Sequence, residues 1–109
     1  MIRGTTPTFK LLVNDETLDL TQASGVYASF EQGTTEILKT GSDLTISCTH
    51  GDTGNVNEVD VFLSQSETLS FKVGEILCQL NWTYANGERA CTNIIRIKVG
   101  NNLIESVIE

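Results

Sequence analysis

The sequence predicts an all-β protein, a two-sheet antiparallel sandwich of about seven strands. Three observations predict it. Short runs of alternating apolar and polar residues recur along the chain, with turn-forming residues between them at intervals of roughly 8–12 residues. No stretch carries a helical period beyond one turn. The pair Asn86-Gly87 lies between the two richest β runs, EILCQLNWTY and RACTNIIRIKV, and Asn-Gly in that setting is a strong hairpin signal.

Met1–Pro7 reads as an arm, because Pro7 cannot donate to a ladder. Thr8–Val13 is the first strand, with Phe9, Leu11 and Val13 on one side. Leu18 and Leu20 follow as a short edge piece or a single turn. Val26, Ala28 and Phe30 share a face of the next strand, Gly33-Thr34 turns the chain, and Thr35–Lys39 returns as its partner. Leu44, Ile46 and Cys48 point inward from Asp43–Cys48. His50–Asn57, rich in Gly, Asp and Asn, is expected to be a loop. Val59, Val61 and Leu63 form the inner face of the next strand. Ser64 with Glu67 fits a capping box, so one helical turn is expected before the penultimate strand.

The hairpin can be read to its register. A two-residue loop at Asn86-Gly87 pairs Ala85 with Glu88, so Trp82 faces Cys91, Leu80 faces Asn93, Cys78 faces Ile95 and Ile76 faces Ile97. These side chains share the face expected to be dry, and Trp82 is placed in the core. Seven short strands with a helical turn before a long final hairpin resemble an immunoglobulin-like fold.

The totals narrow the function. The chain has 109 residues, which suits one domain, 1–109, with an N-terminal arm (1–7) and a C-terminal tail (101–109). Fourteen acidic against seven basic residues give a net charge of −7, which repels phosphate and argues against nucleic acid. No apolar run approaches the ~20 residues of a membrane span. The opening residues lack the apolar core of a secretory leader, so a cytoplasmic protein is expected unless others package or export it. Cys48, Cys78 and Cys91 match no metal or redox spacing and are expected to be buried free thiols. The other reading is a disulfide from Cys48 to one of the others.

No catalytic constellation is legible. His50 reads as a solvated loop residue, and Gly51–Asn55 lacks the full ligand series of a calcium loop. Asn81-Trp82-Thr83 fits a glycosylation pattern but falls in mid-strand. No metal ligand, no cofactor and no enzymatic activity are predicted. Leu103, Ile104, Val107 and Ile108 want a partner, either this chain's own body or a neighbour.

The residues also carry a resemblance. Met1–Thr8 (MIRGTTPT), Val26–Gln32 (VYASFEQ), Leu63–Gly74 (LSQSETLSFKVG) and Asn93–Gly100 (NIIRIKVG) resemble segments of a family of small proteins encoded in phages and prophages of Clostridia and related Firmicutes. More distantly, the chain is similar to the N-terminal β-sandwich of phage baseplate upper proteins. It departs from the pattern in a long Cys48–Asn57 segment, in Cys78 and Cys91, and in Asn101-Asn102 where a more basic stretch is usual. The resemblance implies a non-enzymatic structural or assembly protein of a phage tail or baseplate, present in the bacterial cytoplasm during assembly and then in the virion. Its partners would be other tail proteins or further copies of itself. The expected contact residues are Thr5, Thr6 and Pro7 in the arm, with Leu103, Ile104, Val107 and Ile108 in the tail. The alternative is an immunoglobulin-like binding module for a cell-surface glycan or protein.

Overall fold

The computed structural model describes residues 1–109. Alternating sequence becomes eight strands: β1 (Thr8–Asp15), β2 (Gly25–Gln32), β3 (Thr35–Thr40), β4 (Leu44–Gly51), β5 (Gly54–Phe62), β6 (Gly74–Thr83), β7 (Arg89–Cys91) and β8 (Ile95–Val99). A helical turn, α1 (Gln65–Leu69), and 3-10 turns at Leu20–Gln22 and Gly41–Asp43 connect them. One sheet runs β1-β5-β4; the other runs β3-β2-β6, with β7 and β8 sharing the outer side of β6. All strand pairings are antiparallel. This is the strand order of an immunoglobulin sandwich without its first strand: B-E-D in one sheet and C′-C-F-G in the other.

The core forms where the inner faces meet. Leu11, Val59, Val61 and Leu44 from one sheet pack with Val26, Ala28, Phe30, Ile76, Cys78, Leu80 and Trp82 from the other. Phe9 and Phe30 touch across the gap, ring centroids 5.7 Å apart. Trp82 is buried as expected, and its indole Nε1 donates to the Tyr84 hydroxyl at 3.0 Å. Each large side chain buried here contributes about 1.5–3 kcal/mol.

Two expectations about the backbone fail. His50–Asn57 is not a loop. β4 and β5 continue through it, pairing His50 with Asn55 and Gly51 with Gly54, and only Asp52-Thr53 turn. Gly54 has φ 140°, and a Cβ there would lie 3.0 Å from the Asp15 carbonyl oxygen. A hairpin that passes so close to β1 therefore needs glycine at this position.

The second failure is the register near Asn86-Gly87. Tyr84 N–H donates to Glu88 O at 2.9 Å and Gly87 N–H to Tyr84 O at 3.0 Å, which makes a three-residue loop. Gly87 takes the left-handed conformation (φ 87°), while Asn86 keeps an ordinary φ, so the two-residue turn does not form. Trp82 therefore pairs with Ala90, and Asn81 with Cys91. Further down, Cys78 pairs with Ile95 and Ile76 with Ile97, as expected. The one-residue difference is absorbed between Thr92 and Ile95, where Asn93 and Ile94 together oppose Gln79. Thr92 bridges the break: its N–H donates to Leu80 O at 3.0 Å and its hydroxyl accepts from Leu80 N–H at 3.2 Å. This bulge splits the expected last strand into β7 and β8, hence eight strands rather than seven. It also turns Cys91 out to solvent and puts Ala90 in its place against the core. Of the three thiols only Cys78 is buried; Cys48 is half-buried.

α1 forms where the capping box predicts. Ser64 Oγ accepts from Glu67 N–H at 3.2 Å, and Glu67 Oε1 accepts from Ser64 N–H at 2.9 Å. Lys39 Nζ reaches the same carboxylate at 2.8 Å, tying β3 to α1. Desolvation pushes the Glu67 carboxyl up, but the Lys39 and Ser64 hydrogen bonds outweigh it, and the group ends below its ordinary value.

Two outcomes follow from this fold. In native-state thiol labelling, Cys91 should react fast, a phase that Cys91→Ser removes. Cys78, whose thiol burial pushes up to about 11, should react only on unfolding. A protected Cys91 would restore the two-residue turn. Because the Glu67 carboxyl is depressed in the folded state, its contribution is present above the ordinary glutamate range and is lost as pH falls through that range and below. Wild type should therefore exceed Glu67→Gln in urea stability at neutral pH, with the gap closing in acid; a gap that widens in acid refutes the assignment.

Candidate functional site

The two ends of the sandwich present different chemistry. One end carries α1, the arm and the tail. The other carries the β1–β2 crossover, the β4–β5 turn and the β6–β7 loop, the end that bears the recognition loops in variable-type sandwiches.

At the first end the arm is anchored. Arg3 Nε donates to Phe71 O at 2.6 Å, its Nη2 to Leu69 O at 3.0 Å, and its Nη1 pairs with Glu105 at 2.9 Å. Ile2 forms a parallel bridge with Gly100, which continues the β8 edge. Of the expected contact residues, Thr5 offers its carbonyl to the Thr68 hydroxyl at 2.8 Å, and Pro7 offers its own to Leu63 N–H at 3.1 Å. Thr5 and Thr6 remain exposed and Pro7 is half-buried.

The tail is held by the Asn102 and Glu105 side chains and by the Ile108 backbone. Asn102 Nδ2 donates to Arg3 O at 3.0 Å. The Gln65 side chain grips Ile108 as a strand would, accepting from its N–H at 2.8 Å and donating to its carbonyl at 2.9 Å. The apolar side chains gain little from this. Leu103 is 98% exposed, Ile104 52%, Val107 53% and Ile108 58%. The tail is docked on its own body, yet its grease still faces water.

At the opposite end, Asn57 organises the crossover. It is fully buried on β5, where its Oδ1 accepts from Leu20 N–H at 2.8 Å. Its Nδ2 donates to Leu18 O at 3.0 Å and to Val13 O at 3.2 Å. This fixes Leu18 and Asp19 beside β4. Beyond them an open cleft of about 540 Å³ runs between Asp15, Thr17, Asp19 and Gln22 on one side and Trp82 and Tyr84 on the other. The Asp15 carboxyl, accepting from the N–H groups of Thr17 and Leu18, lies below its ordinary value.

Asp19, Cys48 and His50 meet beside this cleft, their potential ligand atoms all within 4.8 Å of one another. Cys48 and His50 stand two apart on β4, so they share a face. His50 Nε2 lies 3.2 Å from Asp19 Oδ2, and its Nδ1 lies 3.0 Å from Asn55 Oδ1. Hydrogen bonds from Thr21, led by its hydroxyl, lower the Asp19 carboxyl against desolvation, with His50 and Cys48 adding to the effect. Desolvation raises the Cys48 thiol, and the Asp19 charge and a hydrogen bond to it raise it further. The sequence showed Cys48 and His50 as a pair with one residue between them. Reading His50–Asn57 as a loop hid that His50 continues the strand, and nothing local points to Asp19.

No helix is long and apolar enough to cross a membrane. No family model, curated protein or solved structure matches the chain.

Asn57→Ala should lower stability by about 3 kcal/mol in urea unfolding, because it leaves the Leu20 N–H and two carbonyls without this partner inside the protein. A loss under about 1 kcal/mol would mean that the crossover is held by something else.

Proposed function

We propose that this protein is a non-enzymatic assembly module that acts through protein–protein contacts, with the C-terminal tail as its principal contact surface. The observation that carries the reading is the tail's division of labour. Asn102, Glu105 and Ile108 hold it in place, while Leu103, Ile104, Val107 and Ile108 present apolar side chains outward. A preordered apolar strip gives up little conformational entropy on binding and removes its own surface from water. Thr5 and Thr6 are exposed in the arm, whose Arg3 the tail contacts. The free outer edges of β1, β3 and β4 offer unpaired backbone groups to a neighbouring strand.

The setting we infer is a phage or prophage tail or baseplate, with adjoining tail proteins or further copies of this chain as partners. Its support is the resemblance of Met1–Thr8, Val26–Gln32, Leu63–Gly74 and Asn93–Gly100 to that family. Assembly would take place in the bacterial cytoplasm, and the protein would then reside in the virion. The glycan-binding alternative has less to rest on, because Trp82 is buried, which leaves Tyr84 as the exposed aromatic at the cleft. Sugar rings stack on open aromatic faces, and the only tryptophan does not supply one.

The test is a variant with Leu103, Ile104, Val107 and Ile108 all changed to serine. The polar clamps at Asn102, Glu105 and Ile108 remain, so the monomer should stay folded. Light scattering over a concentration series, with the chain alone and mixed with proteins encoded beside it, should show an assembly with wild type that the variant fails to form. Identical behaviour of the two would overturn the reading.

A further inference from the structure

We propose that Asp19, Cys48 and His50 form a three-ligand site for a divalent transition-metal ion of the zinc class, with a further coordination position open to solvent. The inference does not rest on the assembly reading. It concerns the other end of the sandwich, since β1 runs from Thr8, beside α1, to Asp15, beside Asn55.

The donor set argues for this ion class. Sulfur, imidazole nitrogen and carboxylate oxygen together suit zinc and its borderline neighbours, whereas calcium and magnesium take oxygen alone. Ligand atoms within 4.8 Å of one another need only small side-chain adjustments to close on one ion. Cys48 is half-buried and His50 exposed, so the ion would have a covered thiolate side and an open imidazole side.

The surroundings argue for preorganisation. The Asn55 amide has one orientation available, because its Nδ2 donates to Leu18 O at 3.1 Å. Its Oδ1 is therefore the atom facing His50 Nδ1 at 3.0 Å, and Nδ1 carries the hydrogen. In the neutral ring Nε2 is then a lone pair. That lone pair points at Asp19 Oδ2, 3.2 Å away, so two acceptors face each other. A cation between them relieves the conflict. A proton could serve too, with the Cys48 thiol hydrogen-bonded to the Asp19 carboxylate; a metal ion would instead take all three groups as ligands. An imidazole whose far nitrogen donates to a carbonyl oxygen is the usual outer-shell arrangement of a metal-bound histidine. Leu18 O completes the frame: it accepts from both Asn55 and Asn57, so the buried amide that fixes the crossover also orients the ligands.

The experiment titrates the full chain with Zn²⁺ against a chromophoric chelator and records Co²⁺ absorption spectra. Cys91→Ser serves as the background, because Cys91 is an exposed thiol. One equivalent should bind, and Co²⁺ should give a thiolate-to-metal charge-transfer band. Cys48→Ser should abolish that band. His50→Ala, at an exposed position, should weaken Zn²⁺ at least about tenfold with the fold intact by circular dichroism. Asn55→Ala, which removes no ligand, should weaken it roughly 10–100-fold. Failure of the Cys91→Ser protein to bind Zn²⁺, or binding indifferent to Cys48→Ser and His50→Ala, overturns the site and leaves a proton-bridged histidine–aspartate pair.

Discussion

Two polar side chains, Asn57 and Thr68, are buried in this protein, and the sandwich is held at its ends by them. A buried amide or hydroxyl is costly unless its hydrogen bonds are met, so each demands a particular arrangement of backbone around it. Asn57 requires the chain leaving β1 to fold under β5 before it crosses to β2. Thr68 donates to Thr5 O at 2.8 Å and accepts from Gly4 N–H at 2.9 Å, which requires the arm to lie against α1. The apolar core supplies the drive to collapse, but it is nearly indifferent to where the crossovers lie. The two polar groups are not.

The second constraint is the conflict between the loop at Asn86-Gly87 and the register of the strand that follows it. The loop sets one pairing and the inward-facing isoleucine of β8 needs another. Ile97 can pack on the core only if Ile76 is its partner, and Trp82 keeps its place with Ala90 opposite. A bulge at Asn93-Ile94 satisfies both. Thr92 makes this possible, since its hydroxyl takes over a ladder hydrogen bond that the shift leaves open. The consequence is chemical as well as geometric: a cysteine that alternation places inside becomes an exposed thiol.

These constraints separate two surfaces. At the arm-and-tail end hydrogen bonds tie arm and tail to the body, and apolar tail side chains are left exposed. At the crossover end the leftover groups are polar: a carboxylate, a thiol and an imidazole on a frame of asparagine hydrogen bonds. The same small sandwich thus carries exposed apolar side chains at one pole and a cluster of polar donor groups at the other, with the core between them.

Most strand faces were legible because alternation is local. Val26, Ala28 and Phe30, or Val59, Val61 and Leu63, announce their inner face with no knowledge of their neighbours, and Ser64 with Glu67 announces its helical turn within four residues. The extent of β4 and β5 was hidden, because Gly, Asp and Asn favour turns in isolation, and only the pairing of β4 with β5 and of β5 with β1 keeps His50-Gly51 and Gly54–Asn57 extended. The tail's apolar pattern was visible, but not that Gln65 would hold its backbone and leave its side chains in water. The candidate metal ligands were least visible of all. Cys48 and His50 are joined to Asp19 only after the chain has gone from one sheet to the other and back, and proximity of that kind belongs to tertiary structure. Sequence periodicity chose which side of each strand is dry; long-range hydrogen bonds chose which polar groups finally meet.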